Sequence, residues 1–165
     1  MAIGLIKYLT FRSAGRKFAI PFHDIRTVLV ADKGLQPIPE FPAYFAGTCR
    51  WEGLNVPVID ARKRFGFESC EYSDRSCIIV CETNFAVRNK LGVIGLLTDT
   101  VAEMAEIDPE KLQPCEAVNA EAYTRYLRGV YADADEVCYV VDTGMMVNDT
   151  DMDTVRSNGK PAEDD

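Results

Sequence analysis

The chain has 165 residues, 47% of them apolar, and a net charge of −8. That length holds one ordinary domain or two small barrels over a common core, and the acidic balance argues against sequence-independent nucleic-acid binding, which needs clustered Lys and Arg against phosphate. No apolar run reaches the roughly 18 residues of a membrane span, and Lys7 sits in the middle of the apolar stretch at the N-terminus, with no signal-peptide layout; a cytoplasmic protein with no membrane insertion is expected.

Residues 6–12 alternate, Ile6, Tyr8 and Thr10 against Lys7, Leu9 and Phe11. A turn at Ser13-Ala14-Gly15-Arg16 and a return over 17–21 make residues 6–21 a predicted hairpin. Residues 25–31, rich in β-branched side chains, predict another strand. Pro37, Pro39 and Pro42 make residues 35–42 an extended or irregular connector. Residues 44–59 read as a second hairpin, broken at Glu52-Gly53. Pro57 cannot donate to a ladder, which puts its arm at an edge, a bulge or a bend. After a polar break over 68–75, strands are predicted at 76–82 and 91–97 around a turn at 87–90, with more β structure at 101–106. Asp108 and Pro109 suit the cap and first position of a one-turn helix over 108–112. Residues 116–123 read as a loop or short helix, and 126–131 with 137–142 as a last hairpin. From Asp149 onward six acidic and two basic residues give −4, so residues 149–165 are expected to be a disordered acidic tail.

About ten short strands and little helix predict an all-β protein, built as small barrels or a sandwich, with the polar break near residue 70 dividing two groups. Catalytic patterns are missing. Cys49, Cys70, Cys77, Cys81, Cys115 and Cys138 include no CxxC pair, so the zinc and thioredoxin templates fail. In strand-like runs they read as small buried hydrophobes, unpaired in a reducing compartment. Any Cys-His or Ser-His arrangement would have to pass through His23, the sole histidine, which reads as structural or solvent-facing. Gly92 and Gly95 lie in an apolar strand, where close packing explains them better than phosphate binding. No catalytic residue, metal site or cofactor is expected.

Within residues 47–66 the spacing Gly47, Gly53, Pro57, Asp60, Arg62, Gly66 resembles the central motif of the CheW family, the coupling proteins of bacterial chemotaxis. Tyr8-Leu9-Thr10-Phe11 with Phe18-Ala19-Ile20 resembles the family's opening hairpin, and Pro42 through Phe45-Ala46-Gly47 its entry to the motif. Tyr72-Ser73-Asp74 before Ile78-Ile79-Val80, the run from Leu91 to Val101, Tyr126-Leu127-x-Gly129 and Tyr139-Val140-Val141-Asp142 are similar to its later strands. The resemblance runs to about Val147. It implies two five-stranded SH3-like β-barrels packed over a shared hydrophobic core, with short helical turns. They would form one CheW-like domain over 1–148, with barrel one near 6–67 and barrel two near 75–147. It also implies a non-enzymatic adaptor that binds the cytoplasmic tip of chemoreceptors and the regulatory domain of a CheA-type histidine kinase, recruited to receptor arrays at the inner membrane.

Positions matching the family's contact regions are Ile25, Thr27, Gly47, Arg50, Glu52, Gly95, Val101 and Met104, while Gly53, Pro57, Asp60, Arg62 and Gly66 match its structural motif. Arg50 stands where the motif has Asn, Glu52 where it has Arg, and Thr27 where the family is usually acidic. On a regular strand Arg50 and Glu52 would share a face, and the resemblance implies that positions 27 and 52 oppose each other across neighbouring strands. The expectation is a rewired partner surface. A CheW-like regulator of a non-flagellar two-component pathway, such as surface motility or biofilm control, and a peptide-binding barrel unrelated to chemotaxis are the alternative readings.

Overall fold

Among the described residues ten strands follow one another: β1 (Ile6–Ser13), β2 (Arg16–Pro21), β3 (Ile25–Val30), β4 (Phe45–Trp51), β5 (Leu54–Asp60), then helix α1 (Ala61–Phe65), β6 (Cys77–Glu82), β7 (Val93–Thr98), β8 (Thr100–Ile107), β9 (Leu127–Asp133) and β10 (Glu136–Val141). The computed structural model describes residues 4–31, 35–68, 72–82, 92–114, 125–133 and 136–146. The expected turn at 87–90, the loop at 116–123, the acidic tail at 149–165, Cys70 and Cys115 lie outside them. The short helix at Asp108 is a 3₁₀ turn, Pro109–Lys111, with the Asp108 carboxylate accepting the Glu110 amide at 3.0 Å.

The strands form two five-stranded sheets. A terminal sheet has the order β8-β1-β2-β10-β9, and a central sheet the order β3-β6-β7-β5-β4. The strands therefore do not divide at the polar break near residue 70, and the expected assignment of residues 6–67 to one barrel and 75–147 to the other is corrected. The N-terminal hairpin β1–β2 joins the C-terminal strands, pairing antiparallel with β8 and, through β2, parallel with β10. The chain crosses to the central sheet through the 3₁₀ turn Phe22–Asp24 and returns between β7 and β8. Periodicity marks each strand but carries no information on which non-local partner it takes.

Both faces of each sheet are largely buried, which is why β6 and β7 read as unbroken apolar runs rather than alternating ones. One face of each contributes to a shared core: Leu9, Phe11, Phe18 and Ile20 from the terminal sheet meet Ile59, Ile79, Ile94 and Leu96 from the central sheet, with Phe65 of α1 between them. Phe18 stacks on Phe65 at 4.6 Å and on Phe11 at 5.4 Å between centroids. The opposite faces cover separate small cores, one around Val56, Val58, Ile78 and Val80, the other around Tyr8, Ala19, Cys138 and Val140.

The two sheets are built alike, as the resemblance implied, and the likeness extends to a sequence repeat that the sequence reading missed. Each is an outer strand, a hairpin, a parallel contact and a second hairpin. The Tyr44 carbonyl accepts the Asp60 amide at 2.8 Å, and the Tyr126 carbonyl accepts the Asp142 amide at 2.9 Å. Asp60 then caps α1, and Asp142 caps the 3₁₀ turn Thr143–Met145. Gln36 exchanges backbone bonds with Thr48 as Gln113 does with Val130. Leu-Gln-Pro occurs at 35–37 and again at 112–114, and Val58-Ile59-Asp60 answers Val140-Val141-Asp142.

Candidate partner-binding surface

Helix α1 holds the sheets in register. The Asp60 carboxylate, at the end of β5, accepts the Lys63 amide at 3.3 Å and the Tyr72 hydroxyl at 2.6 Å. Gly66, at φ 86°, closes the helix in the left-handed conformation. Arg62 donates through Nε to one oxygen of Asp99 at 2.9 Å and through a terminal nitrogen to the other at 2.6 Å. Asp99 lies between β7 and β8 and also accepts the Ala14 amide at 3.0 Å, so one ion pair ties α1 to the tip of the β1–β2 hairpin. Arg64 stands over two rings, 3.8 Å from the centroid of Tyr44 and 4.7 Å from that of Tyr126, and its Nε donates to the Met146 carbonyl at 2.6 Å. Those two tyrosines are the equivalent positions of the two sheets, and the sequence reading had given Arg64 no role.

Burial shapes the titration of this framework. The Tyr72 hydroxyl is raised first by burial and then by its bond to Asp60. Burial pushes the Cys81 thiol up to about 12 and raises that of Cys49. On the outside, Arg12 grips Glu136 with bonds of 2.5 and 2.9 Å, and that bond holds the Glu136 carboxyl below the usual carboxylate range. Among the described residues no three His, Cys, Asp or Glu side chains gather where a metal could sit, and no helix is long and apolar enough to cross a membrane.

The motif residues fall where backbone geometry requires them. Glu52 and Gly53, with φ of 51° and 79°, are the two central residues of the β4–β5 turn. Pro57 pairs with Thr48 on β4, the outermost strand. β5 itself is an inner strand, pairing with β4 and in parallel with β7, so Pro57 lies within a paired strand. Gly47 has φ 137°, and a Cβ there would lie 2.2 Å from the Gln36 carbonyl oxygen. A Cβ on Gly95 would lie 2.7 Å from a methyl of Ile78. Both glycines serve close packing.

Two expectations about charge are corrected. Arg50 and Glu52 do not share a strand face, because β4 ends at Trp51 and Glu52 occupies the left-handed turn position. Arg50 instead donates across the hairpin to Asn55 Oδ1 at 3.0 Å. Nor do positions 27 and 52 oppose each other: Thr27 is on β3 and Glu52 follows β4, the two outer strands on opposite edges of the central sheet.

Four candidates remain on outer strands. Ile25 and Thr27 are half-buried on β3, flanking a bulge against β6. Val101 and Met104 are on β8, the equivalent outer strand of the terminal sheet, which is also irregular against β1. Ile25 and Val101 both pack on the shared core, whereas Met104 is exposed. Val28 and Val30, which the sequence reading did not single out, are exposed beside Thr27.

The two sheets are thus equivalent β scaffolds with apolar side chains exposed on their outer strands. The CheW-like domain model matches residues 7–151, and the chain belongs to that family. A probable chemotaxis protein CheW of Rhizobium etli is 28% identical over 136 residues, spanning 80% of this chain and 81% of the relative. A chemotaxis protein CheW of Klebsiella aerogenes is 23% identical over 154 residues, spanning 93% and 89%. The crystal structure of the scaffolding protein TtCheW from Thermoanaerobacter tengcongensis superposes with a TM-score of 0.75 at 28% identity, covering 87% of this chain and 94% of that one.

Proposed function

We propose that this chain is a non-enzymatic adaptor of bacterial chemotaxis that couples chemoreceptor tips to the regulatory domain of a CheA-type histidine kinase at receptor arrays. The observation carrying the reading, beyond family membership, is that two equivalent outer strands each present unpartnered apolar side chains. Val28 and Val30 stand beside Thr27 on β3, and Met104 stands on β8. An adaptor needs two such surfaces on one rigid frame, with nearby charge to fix register. Ile25, Thr27, Val101 and Met104 are assigned to these surfaces. Arg50 and Glu52 form a third place, at the tip of the β4–β5 hairpin, where the charge reversal distinguishes partners without touching the β3 surface.

Calorimetric titration of the kinase regulatory domain and, separately, of a receptor-tip fragment tests the reading. Wild type is expected to bind both. Val28→Glu and Met104→Glu are each expected to weaken one partner at least tenfold while leaving the other within twofold. Wild type binding neither partner would remove the reading.

A further inference from the structure

The internal repeat relates the two outer strands residue by residue. Val58 and Val140, each two places before a capping aspartate, lie beside Gly95 and Ala19. Gly95 pairs onward with Val80, and Ala19 with Thr10. At the residue before each, Ile79 pairs with Val28 and Leu9 with Met104. Val28 and Met104 are therefore the same position of the two copies. Both outer strands are also irregular at the same place, just before that position.

Paired residues of an antiparallel ladder share a face. Ile79 and Leu9 belong to the shared core, yet Val28 is 39% and Met104 42% exposed. The outer strand of each sheet thus overhangs the core, beyond the cover that the opposite sheet gives. Two places along, the overhangs differ. On the central sheet the next pair on that face is Val30–Cys77, with Val30 49% exposed. On the terminal sheet it is Glu106–Lys7, and both are exposed. Arg26, in the irregular part of β3, is ion-paired with Glu82, and Glu103, on the other face of β8, with Lys17. Among the described residues Glu106 and Lys7 are joined to no opposite charge.

We propose that positions 30 and 106 give the two overhangs different partners, the terminal one taking a partner face that carries an aliphatic side chain flanked by one basic and one acidic residue, an assignment that rests on the adaptor function proposed for the chain. Met104 supplies the apolar contact. Glu106 and Lys7, opposite in sign and held side by side on two strands, suit a partner pair of opposite signs in one order only. The reverse order sets like charges against each other, so the pair fixes the direction in which the partner lies. On the central overhang Val28, Val30 and Cys77 leave an uncharged surface, and a charge brought against it would lose water without gaining a counterion.

Calorimetric titration of the full chain with the kinase regulatory domain and with a receptor-tip fragment, at about 50 mM and about 500 mM salt, decides it, because exposed charges are screened at the higher concentration. The partner weakened by Met104→Glu is expected to bind at least about fivefold more weakly at high salt, and the partner weakened by Val28→Glu to stay within about twofold. Glu106→Gln and Lys7→Gln should each weaken the former at low salt and reduce its salt dependence. Lys7→Glu combined with Glu106→Lys keeps the net charge and should weaken it more than either single change. Equal salt dependence of the two partners, or an exchanged pair that binds as wild type does, would overturn the inference and leave the adaptor function standing. Binding of neither partner by wild type would remove the adaptor function itself, and this inference with it.

Discussion

Arg62 meets Asp99 side-on, with two donors on two carboxylate oxygens at 2.9 and 2.6 Å. The side chains are 17% and 22% exposed, so the pair is largely withdrawn from water. Asp99 also holds the amide of Ala14, a non-glycine residue at φ 54°. Removing the arginine leaves a shielded carboxylate and a loosened hairpin tip. Arg62→Ala is expected to lower unfolding free energy by about 2–4 kcal/mol, near the range for breaking shielded pairs. Arg62→Lys, which cannot reproduce the fork, should recover less than half of that. Urea denaturation measures both, and a loss under about 0.5 kcal/mol for Arg62→Ala would make the pair incidental.

The turn at Glu52 stores strain that a single substitution releases. Glu52 has φ 51°, a region costing a residue with a Cβ about 1–2 kcal/mol, and one that asparagine tolerates. Glu52→Asn should therefore raise the unfolding free energy, and with it the urea midpoint, the gain in free energy being about 0.5–1 kcal/mol. Glu52→Arg should leave stability within about 0.5 kcal/mol, as for other exposed substitutions. Any change in partner binding by Glu52→Arg then reports surface charge rather than folding.

How far the sequence could be read depended on whether the signal was local. The hairpin turns at Ala14-Gly15 and Glu52-Gly53 and the cap at Asp108 follow from residues within a few places of one another. The two five-stranded units came from the family resemblance, while the all-β class was likewise legible in the spacing of apolar runs. Strand partnership was not: β2 lies beside β10, and nothing in residues 16–21 encodes that neighbour. The family resemblance placed Thr27 opposite Glu52, whereas β3 joins β6 and lies on the far edge of the sheet from β4. Gly47 matches a family contact position, and a structural reason for the glycine, room for the Gln36 carbonyl, was not legible beside it. The internal repeat was visible in the two Leu-Gln-Pro segments and in Asp60 at the end of β5 and Asp142 just after β10. Finding it would have exposed Lys17 as the lysine standing where the other copy has Val93.

Stability is expected to fall at both ends of the pH range, for opposite reasons. Glu136 is held below the usual carboxylate range by its bond to Arg12. Its contribution is present above the unfolded value of about 4.3 and is lost as pH falls through the folded value. Cys81 is pushed up to about 12 by burial. Its contribution is complete below the unfolded thiol value of about 8.5 and disappears as pH rises toward the folded one. Glu136→Gln should flatten the acid limb of a denaturation profile, and Cys81→Ala the alkaline limb. Iodoacetamide at about pH 8.5, near the unperturbed thiol value, should label Cys77, which is partly exposed, in the native protein. Cys81 should label only at the rate of global unfolding, and rapid native labelling of Cys81 would contradict its burial.

Arg64 touches the same tyrosine in both copies of the repeat. A second arginine, placed symmetrically on the turn Thr143–Met145, would face it across the seam and repel it. The terminal sheet instead offers the Met146 carbonyl, which accepts from Nε at 2.6 Å. Each ring contact is worth about 0.5–2 kcal/mol, and a hydrogen bond from a charged donor about 1.5–3 kcal/mol. Arg64→Ala should therefore cost about 3 kcal/mol, and Arg64→Lys, which keeps charge but loses the planar stack, about 2 kcal/mol. A double-mutant cycle with Tyr126→Leu should give a coupling of about 0.5–2 kcal/mol. Hydrogen exchange separates a seam contact from ordinary packing. The amides of Asp60 and Asp142 bond to the carbonyls of Tyr44 and Tyr126, and Arg64→Lys should speed exchange at both. Faster exchange at Asp60 alone would confine Arg64 to its own sheet and leave the shared hydrophobic core to hold the two together.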